Sequence, residues 1–183
     1  MFYGCTSLAT ITIPDSVTSI GRWAFSNCTW LNSVYITDVA KWCAIEFYDA
    51  ASNPLYYADN LYVDGKRTTE LIIPDSVTSI NDYAFCGWIG IKGIMIPDSV
   101  TSIGKYAFYK CTSLTSIYYN GTEDEWSGIS ISSNNSPLTN ATRYYYSEVE
   151  PPLNTYGTAY EGKYWYFDEN GNITVWVYIG SNA

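Results

Sequence analysis

The chain has 183 residues, with 9 basic and 18 acidic side chains, a net charge of −9 and a pI near 4.2. So acidic a chain lacks the Lys and Arg that bind phosphate backbones, which argues against nucleic acid and anionic membranes as partners. The absence of histidine excludes Ser-His-Asp and Cys-His catalytic pairs, and no apolar run approaches the ~20 residues that span a bilayer. Aromatic residues make up 17% of the chain, which suggests a recognition surface.

A repeat with a 23-residue period begins near the N-terminus. The segment LATITIPDSVTSIGRWAFSNC at 8–28 returns as IKGIMIPDSVTSIGKYAFYKC at 91–111, and IPDSVTSI also occurs at 73–80. Each unit carries apolar residues at fixed positions, with polar or small residues between them. Since a unit of this length cannot bury its own apolar edge, we expect stacked coils, each contributing one short parallel strand.

Two longer coils of equal length, which we call variant coils, interrupt this period at 37–63 and 120–146. Both carry a Trp, an apolar pair, a Pro-Leu dipeptide, an alanine and a final aromatic strand. Their extra residues predict a short helix: Thr122 and Glu125 form a capping-box pattern, and Thr37 is a cap without the glutamate. Directly after the first variant coil, Asp64-Gly65 predicts a type I′ hairpin turn.

These residues resemble the BspA-like class of bacterial leucine-rich repeats, whose unit is LxxIxIPxxVxxIGxxAFxxC, over roughly 1–146. The resemblance implies a mostly β, right-handed solenoid with short helical turns. It also implies a bacterial cell-surface or secreted location and roles in adhesion or protein binding. Trp88 stands where the unit has Cys, so we expect a changed contact there. Because Met1 and Phe2 match Ala24 and Phe25 of the unit, we expect the solenoid to be N-terminally truncated.

The repeat stops after residue 146. Acidic, proline and glycine residues at 147–162 are typical of a linker. Two β-prone runs around Asn170-Gly171 predict a hairpin at 163–183. Because an isolated hairpin is marginally stable in water, we expect it to cap the last coil. The alternative is that it begins another domain.

Two residue types recur at fixed positions of the unit. A cysteine fills the same inward position three times, at Cys5, Cys28 and Cys111. We expect these thiols to be buried and reduced, although neighbouring coils would also permit a disulfide between the first two. An aspartate recurs in IPDSV, at Asp15, Asp75 and Asp98. We expect Pro-Asp to occupy the centre of a turn, with a cation site as the alternative.

The strand pattern also predicts one outward column on the sheet face. The isoleucines of LxxIxI point inward, so the residue between the last two points outward. In chain order the column is Thr12, Tyr35, Tyr62, Ile72, Met95, Tyr118 and Tyr145. An apolar and aromatic stripe with a polar rim is typical of an interaction surface, so we predict that its six apolar members bind the partner. The alternative is an aromatic ladder that only stabilises the sheet.

The sequence offers no catalytic machinery. It has no histidine, no glycine-rich phosphate loop and no C-x-x-C pair, so we expect neither an enzyme nor a metal or cofactor site. The function predicted is a non-catalytic binding scaffold for a protein ligand. The alternative is a carbohydrate-binding accessory module of a surface polysaccharide system, because flat aromatic rings suit sugar faces.

Overall fold

A computed structural model describes residues 2–180, a mostly β chain with few short helices. The strands are β1 Thr10–Thr12, β2 Ser19–Ile20, β3 Ser33–Ile36, β4 Glu46–Phe47, β5 Asn60–Val63, β6 Lys66–Thr68, β7 Glu70–Ile72, β8 Ser79–Ile80, β9 Gly93–Pro97, β10 Ser102–Ile103, β11 Ser116–Asn120, β12 Ser130–Ile131, β13 Thr142–Tyr146, β14 Tyr164–Phe167 and β15 Ile173–Val175. The α-helices are α1 Val39–Cys43, α2 Glu123–Ser127 and α3 Ser136–Asn140, and 3-10 turns span Ala50–Ser52 and Pro54–Tyr56. Among residues 2–180, no helix has the length and apolarity that crossing a bilayer requires.

The sequence period becomes the register of parallel strands. Thr10 on β1 lies opposite Ser33 on β3, and Gly93 on β9 lies opposite Ser116 on β11. In both pairs the two residues are one repeat period apart in the sequence. A second ladder of two-residue strands, β2–β4 and β8–β10–β12, follows a separate line along the coils. The isoleucines, leucines and valines of the units meet between these ladders in one apolar core.

The sheet is interrupted after the first variant coil. Asp64 and Gly65 have φ values of +49° and +74°, as the predicted type I′ turn requires. The turn folds β6 back antiparallel on β5, with Val63 opposite Lys66. The strand order is therefore β1-β3-β5-β6 in one sheet and β7-β9-β11-β13-β14-β15 in the other. The hairpin thus occupies the edge of β5 that a further parallel strand would use.

Hydrogen bonds join the coils across this interruption. The indole N–H of Trp42 donates to the carbonyl of Ala84 at 2.8 Å. Asn53, fully buried, donates from Nδ2 to the carbonyls of Tyr83 and Ala84 at 2.7 and 2.9 Å, and its Oδ1 accepts from the N–H of Leu55 at 2.8 Å. At this junction, where β5 and β7 do not pair, the indole and the amide join the two coils through a buried turn.

A second buried asparagine, in the second variant coil, has a similar role. Asn135 donates from Nδ2 to the carbonyls of Gly104 and Ser132 at 2.8 and 2.9 Å. Its Oδ1 accepts from the N–H of Phe108 at 2.9 Å. The sequence pattern did not predict either asparagine, although Asn53 directly precedes the Pro-Leu dipeptide of its variant coil and Asn135 stands two residues before that of the other.

The helix caps agree with prediction in one variant coil and differ in the other. The box of Thr122 and Glu125 is confirmed, with both reciprocal bonds present. Thr37, however, does not cap α1, because the carboxylate of Asp38 accepts the N–H of the third helical residue at 3.0 Å. Thr37 instead donates to Asp15 at 2.7 Å.

The second variant coil is one residue shorter than predicted. Its Thr142 lies opposite Ser116, whereas in the first variant coil Asn60 lies opposite Ser33. The sequence separation is therefore one residue smaller between Ser116 and Thr142 than between Ser33 and Asn60. The difference is Asp59, which separates Ala58 from β5 and has no counterpart between Ala141 and β13.

The cysteine prediction holds for two of its three members. Cys28 and Cys111 are buried, and their thiols donate to the carbonyls of Phe2 and Phe85, at 3.0 and 3.1 Å. The prediction of burial is wrong for Cys5, which is exposed because no described coil stacks over it. All five cysteines are free thiols, so the alternative disulfide does not form. Burial also raises the pKa of Cys86, to about 12.

The IPDSV segments form turns, but with a shifted centre. The N–H of Val17 donates to the carbonyl of Pro14 at 3.0 Å, so Asp15 and Ser16 are central and proline takes the first position. Proline suits that place because its carbonyl accepts the turn bond while its missing N–H is not needed. Within residues 2–180 no group of three or more cysteine or acidic side chains is placed to hold a metal ion.

Candidate binding surface

The first sheet carries a stacked tyrosine pair on its outward column. Thr12 lies opposite Tyr35, and Tyr35 lies opposite Tyr62. The two rings are 4.5 Å apart between centroids and 15° from parallel, and both are partly exposed. On the other side, Arg67 of β6 lies opposite Tyr62. We call Tyr35, Tyr62 and Arg67 the tyrosine platform.

A polar network borders this platform. Arg67 donates from Nε to the Oδ1 of Asn60 at 2.6 Å, and Asn60 donates from Nδ2 to the Oδ1 of Asn32 at 2.7 Å. The hydroxyl of Ser33 donates to the same Asn32 oxygen at 3.0 Å. Since this partner of Arg67 is a neutral amide, it does not offset the positive charge of the guanidinium, which stands out on a strongly acidic chain.

The second sheet continues the column, but not as an exposed stripe. Ile72 is 48% exposed, whereas Met95 is only 5% exposed. The predicted exposure of Met95 is therefore wrong. Met95 lies between Ile72 and Tyr118 in the strand pairing, and the Tyr118 ring approaches Gly93 to within 3.2 Å of the position a Cβ would take. Gly93 has no side chain, so the ring can lie over this strand.

The last member of the predicted column, Tyr145, is wrong as well. Because the second variant coil is one residue shorter than the first, Tyr144 lies opposite Tyr118, and their rings stack at 5.5 Å and 22°. Tyr145 lies opposite Tyr119 and packs against the core, edge-on to that ring. Aligning the two variant coils on the alanine that precedes the strand would have predicted this register. The three consecutive tyrosines alone do not indicate it.

The predicted stripe is thus interrupted twice, by the β6 hairpin and by the buried Met95. Tyr35 and Tyr62 form a first patch, Tyr118 and Tyr144 form a second, and Ile72 is exposed between the two interruptions. In the second patch, the ring of Tyr118 also packs against the C-terminal hairpin. It lies edge-on to the ring of Trp165, with 6.1 Å between the ring centroids. Burial raises the pKa of Tyr118. The tyrosine platform differs from the second patch in that its two stacked, partly exposed rings lie beside a cationic side chain.

Aromatic side chains are also exposed away from the sheet face, in the turns after the two-residue strands. Trp23, Tyr83 and Tyr106 hold the same position in their repeat units, each with φ between +56° and +61°. The rings of Tyr83 and Tyr106 stack at 5.2 Å and 4°. Trp23 is 52% exposed, beside an Arg22 that lies 4.6 Å above the ring of Tyr48. The sequence repeat contains this second aromatic column, which was not predicted as a surface.

Similarity to solved structures is partial. A leucine rich cell surface protein from Faecalibacterium prausnitzii A2-165 shares 30% identity over 67% of this chain, with a TM-score of 0.38. A leucine rich repeat protein of T. pallidum shares 26% over 64%, with a TM-score of 0.33, and one from Bacteroides ovatus ATCC 8483 shares 23% over 79%, with a TM-score of 0.36. The chain spans 35%, 48% and 39% of those structures, respectively.

No curated protein sequence matches significantly. The family profile described as the BspA type leucine rich repeat region matches residues 1–52 and 58–142, in 6 copies. The match covers most of the chain and includes the coils that carry the parallel strands. The chain therefore belongs to the BspA-type family of bacterial leucine-rich repeats.

Proposed function

We propose that this chain is a non-catalytic scaffold of the bacterial cell surface, or a secreted one, that recognises a protein ligand through the tyrosine platform. Membership of a repeat family whose members serve as binding modules supports the general role. The location and the use in adhesion are part of the proposal, as is a right-handed winding of the coils, which parallel crossovers favour. The domain division at 146 and 162 is also retained as a proposal.

The observation that carries the proposal is the stacked, partly exposed pair of Tyr35 and Tyr62 beside Arg67. Tyrosine and arginine are among the residues most enriched where protein interfaces concentrate their binding energy. Because the two rings are held by neighbouring strands and by each other, they lose little conformational entropy when a partner binds.

A carbohydrate ligand is the second candidate. It is favoured by the nearly parallel rings and by the amides of Asn32 and Asn60 at their border, since amides donate to and accept from sugar hydroxyls. Arg67 favours an acidic protein surface as the ligand more than it favours a sugar.

The test compares protein and glycan arrays probed with three forms of the chain: wild type, the double variant Tyr35→Ala/Tyr62→Ala, and the control Tyr156→Ala. Tyr156 is 85% exposed and lies away from the platform strands, so its loss should leave binding unchanged. Saturable binding to a protein that only the double variant loses supports the proposal. Binding confined to glycans favours the second candidate, and a double variant that binds like wild type contradicts a role for the platform.

A further inference from the structure

The last coil has a charged residue where every earlier paired strand has an apolar one. In the strand pairing, Arg143 lies opposite Ile117, and Ile117 lies opposite Ile94. Leu61 holds the matching position of the first variant coil and is fully buried. A guanidinium at an inward position loses hydration, so it needs either a partner or a way to water.

The surroundings of Arg143 give it only part of what it needs. Its guanidinium lies over the ring of Trp126, with 4.5 Å between Cζ and the centroid. Its Nε is buried and has no hydrogen-bond partner among the described residues. The ring packs on one face of the guanidinium. The N–H groups in the plane of the guanidinium are the donors with which arginine binds planar anions.

Arg143 also lines a cavity of about 600 Å³ between the last coil and the segment that leads into β14. The cavity walls include Tyr145, Tyr146 and Tyr164, together with Asn140. This volume lies within the range of about 300–1,000 Å³ typical of small-molecule sites, and polar side chains form a large part of the lining.

Four charged side chains line the cavity, and their signs balance. Arg143 and Lys163 are positive, and Glu123 and Glu161 are negative. The two cations can bind one carboxylate, and the two carboxylates cancel the excess positive charge that a phosphate or another dianionic group would need. The carboxylates can accept bonds from hydroxyl groups, and the tyrosine rings can pack on a saturated ring.

We propose that this cavity binds a uronic-acid residue, with the sugar carboxylate on the guanidinium of Arg143. The charge of Lys163 adds to the attraction, and the hydroxyls are met by Asn140 and the two glutamates. The cavity is separate from the tyrosine platform. The proposed uronate binding and the proposed protein recognition can therefore be tested, and can fail, independently.

The test is titration of the full chain with galacturonic acid and with trigalacturonate, which separates a free acid from a residue within a polysaccharide. Calorimetry and tryptophan fluorescence report binding, the latter because Trp126 lies under the guanidinium. Galactose is the uncharged control ligand, and sodium acetate is the carboxylate without a ring. We expect saturable binding of one or both uronates and none of the controls.

The variants are Arg143→Met, Lys163→Met and the control Arg67→Met on the platform. Arg143→Met should weaken binding by about tenfold or more, the usual loss for a charge-assisted hydrogen bond, and Lys163→Met by a smaller factor. Arg67→Met should bind like wild type. The melting temperature of Arg143→Met should not fall, because methionine restores the apolar character that this position has in the earlier coils. A structural arginine would give the opposite result.

Three results would overturn the proposal: no saturable uronate binding by wild type, equal binding of galactose or acetate, or wild-type affinity in Arg143→Met. If Arg143→Met does not fold, the exposed Lys163 decides. Weaker uronate binding by Lys163→Met then supports the proposal, and unchanged binding overturns it.

Discussion

The two variant coils start from nearly the same residues and end in different environments. Both contain a short helix, a buried asparagine and a Pro-Leu turn. In the first, the indole of Trp42 donates to Ala84 of the following coil, and Leu61 is fully buried. In the second, Arg143 replaces that leucine and covers Trp126. The same position of the repeat is therefore part of the apolar core in the first variant coil and part of a cavity wall in the second. The difference depends on the segment of the chain that packs next to each coil.

The direction of the asparagine bonds shows the same difference. Asn53 donates forward to Tyr83 and Ala84, whereas Asn135 bonds back to Gly104 and Phe108. The first variant coil thus binds the next unit where its strand cannot, because β6 takes the sheet edge. The second is closed by β14, which extends the sheet beside β13.

The largest effect is expected from changing the residue at the position where the first variant coil has Leu61 and the second has Arg143. Leu61→Arg places an unpaired charge in a closed core and should cost about 4 kcal/mol or more of unfolding free energy. Arg143→Met at the matching position should cost nothing measurable. Urea unfolding of both variants checks this, and similar losses would show that the two positions are equivalent after all.

Truncating the tryptophan that joins the C-terminal hairpin to the coils tests the closure of the second variant coil. Trp165 is fully buried and its indole donates to the carbonyl of Tyr119 at 2.8 Å. Trp165→Ala should therefore cost about 3–5 kcal/mol and expose the β13 edge to association. Urea unfolding and size-exclusion chromatography measure the two effects, with Tyr156→Ala as the neutral control. An unchanged free energy of unfolding and a monomeric variant would mean that the hairpin does not close the coil.

Removing the buried amide of the first variant coil sharpens the comparison further. Asn53→Ala leaves the N–H of Leu55 without its acceptor and removes one of the two donors from each of the carbonyls of Tyr83 and Ala84, which keep the N–H groups of Cys86 and Trp42. It should cost about 1–3 kcal/mol. Hydrogen exchange should show faster opening around Ala84, where the two halves of the solenoid meet. Asn170→Ala, in the exposed tip between β14 and β15, is the matched control. Exchange that speeds up equally in all coils would argue against a local junction.

The helix caps give the smallest effect. Thr122→Ala removes the capping box of α2 and should cost about 1 kcal/mol. Hydrogen bonds from Thr122 hold the pKa of Glu125 below its usual value. The stabilisation from this carboxylate is therefore present above its unfolded-state pKa and lost as the pH falls through the folded-state pKa. The variant should differ from wild type less in acid than at pH 7, and an effect independent of pH would contradict the box.

The sequence predicted the features that depend on local chemistry or on strict repetition. The strand register of the regular coils, the type I′ turn at Asp64 and the capping box at Thr122 belong to this group. Features that depend on a neighbouring coil, before or after, were not predictable. Cys5 is exposed because nothing described covers it, and Met95 is buried on a strand that lies between those of Ile72 and Tyr118.

The candidate site shows the same division. Tyr35 and Tyr62 lie in coils whose register the alternation defines, and their predicted places on the sheet face agree with the structure. Tyr145 was misplaced because one residue fewer in its coil moves every later side chain of the strand to the other face. The unusual position of Arg143 could be recognised only after that register was known.

Tyrosine-specific nitration read by mass spectrometry tests the recognition surface most directly. It is carried out with and without saturating amounts of the protein ligand found on the array. The tyrosine platform predicts that Tyr35 and Tyr62 are reactive in the free chain and protected in the complex, while Tyr156 reacts equally in both. Equal labelling of the platform in both states, or protection confined to Tyr83 and Tyr106 of the second aromatic column and to Tyr48 beneath Arg22, would contradict it.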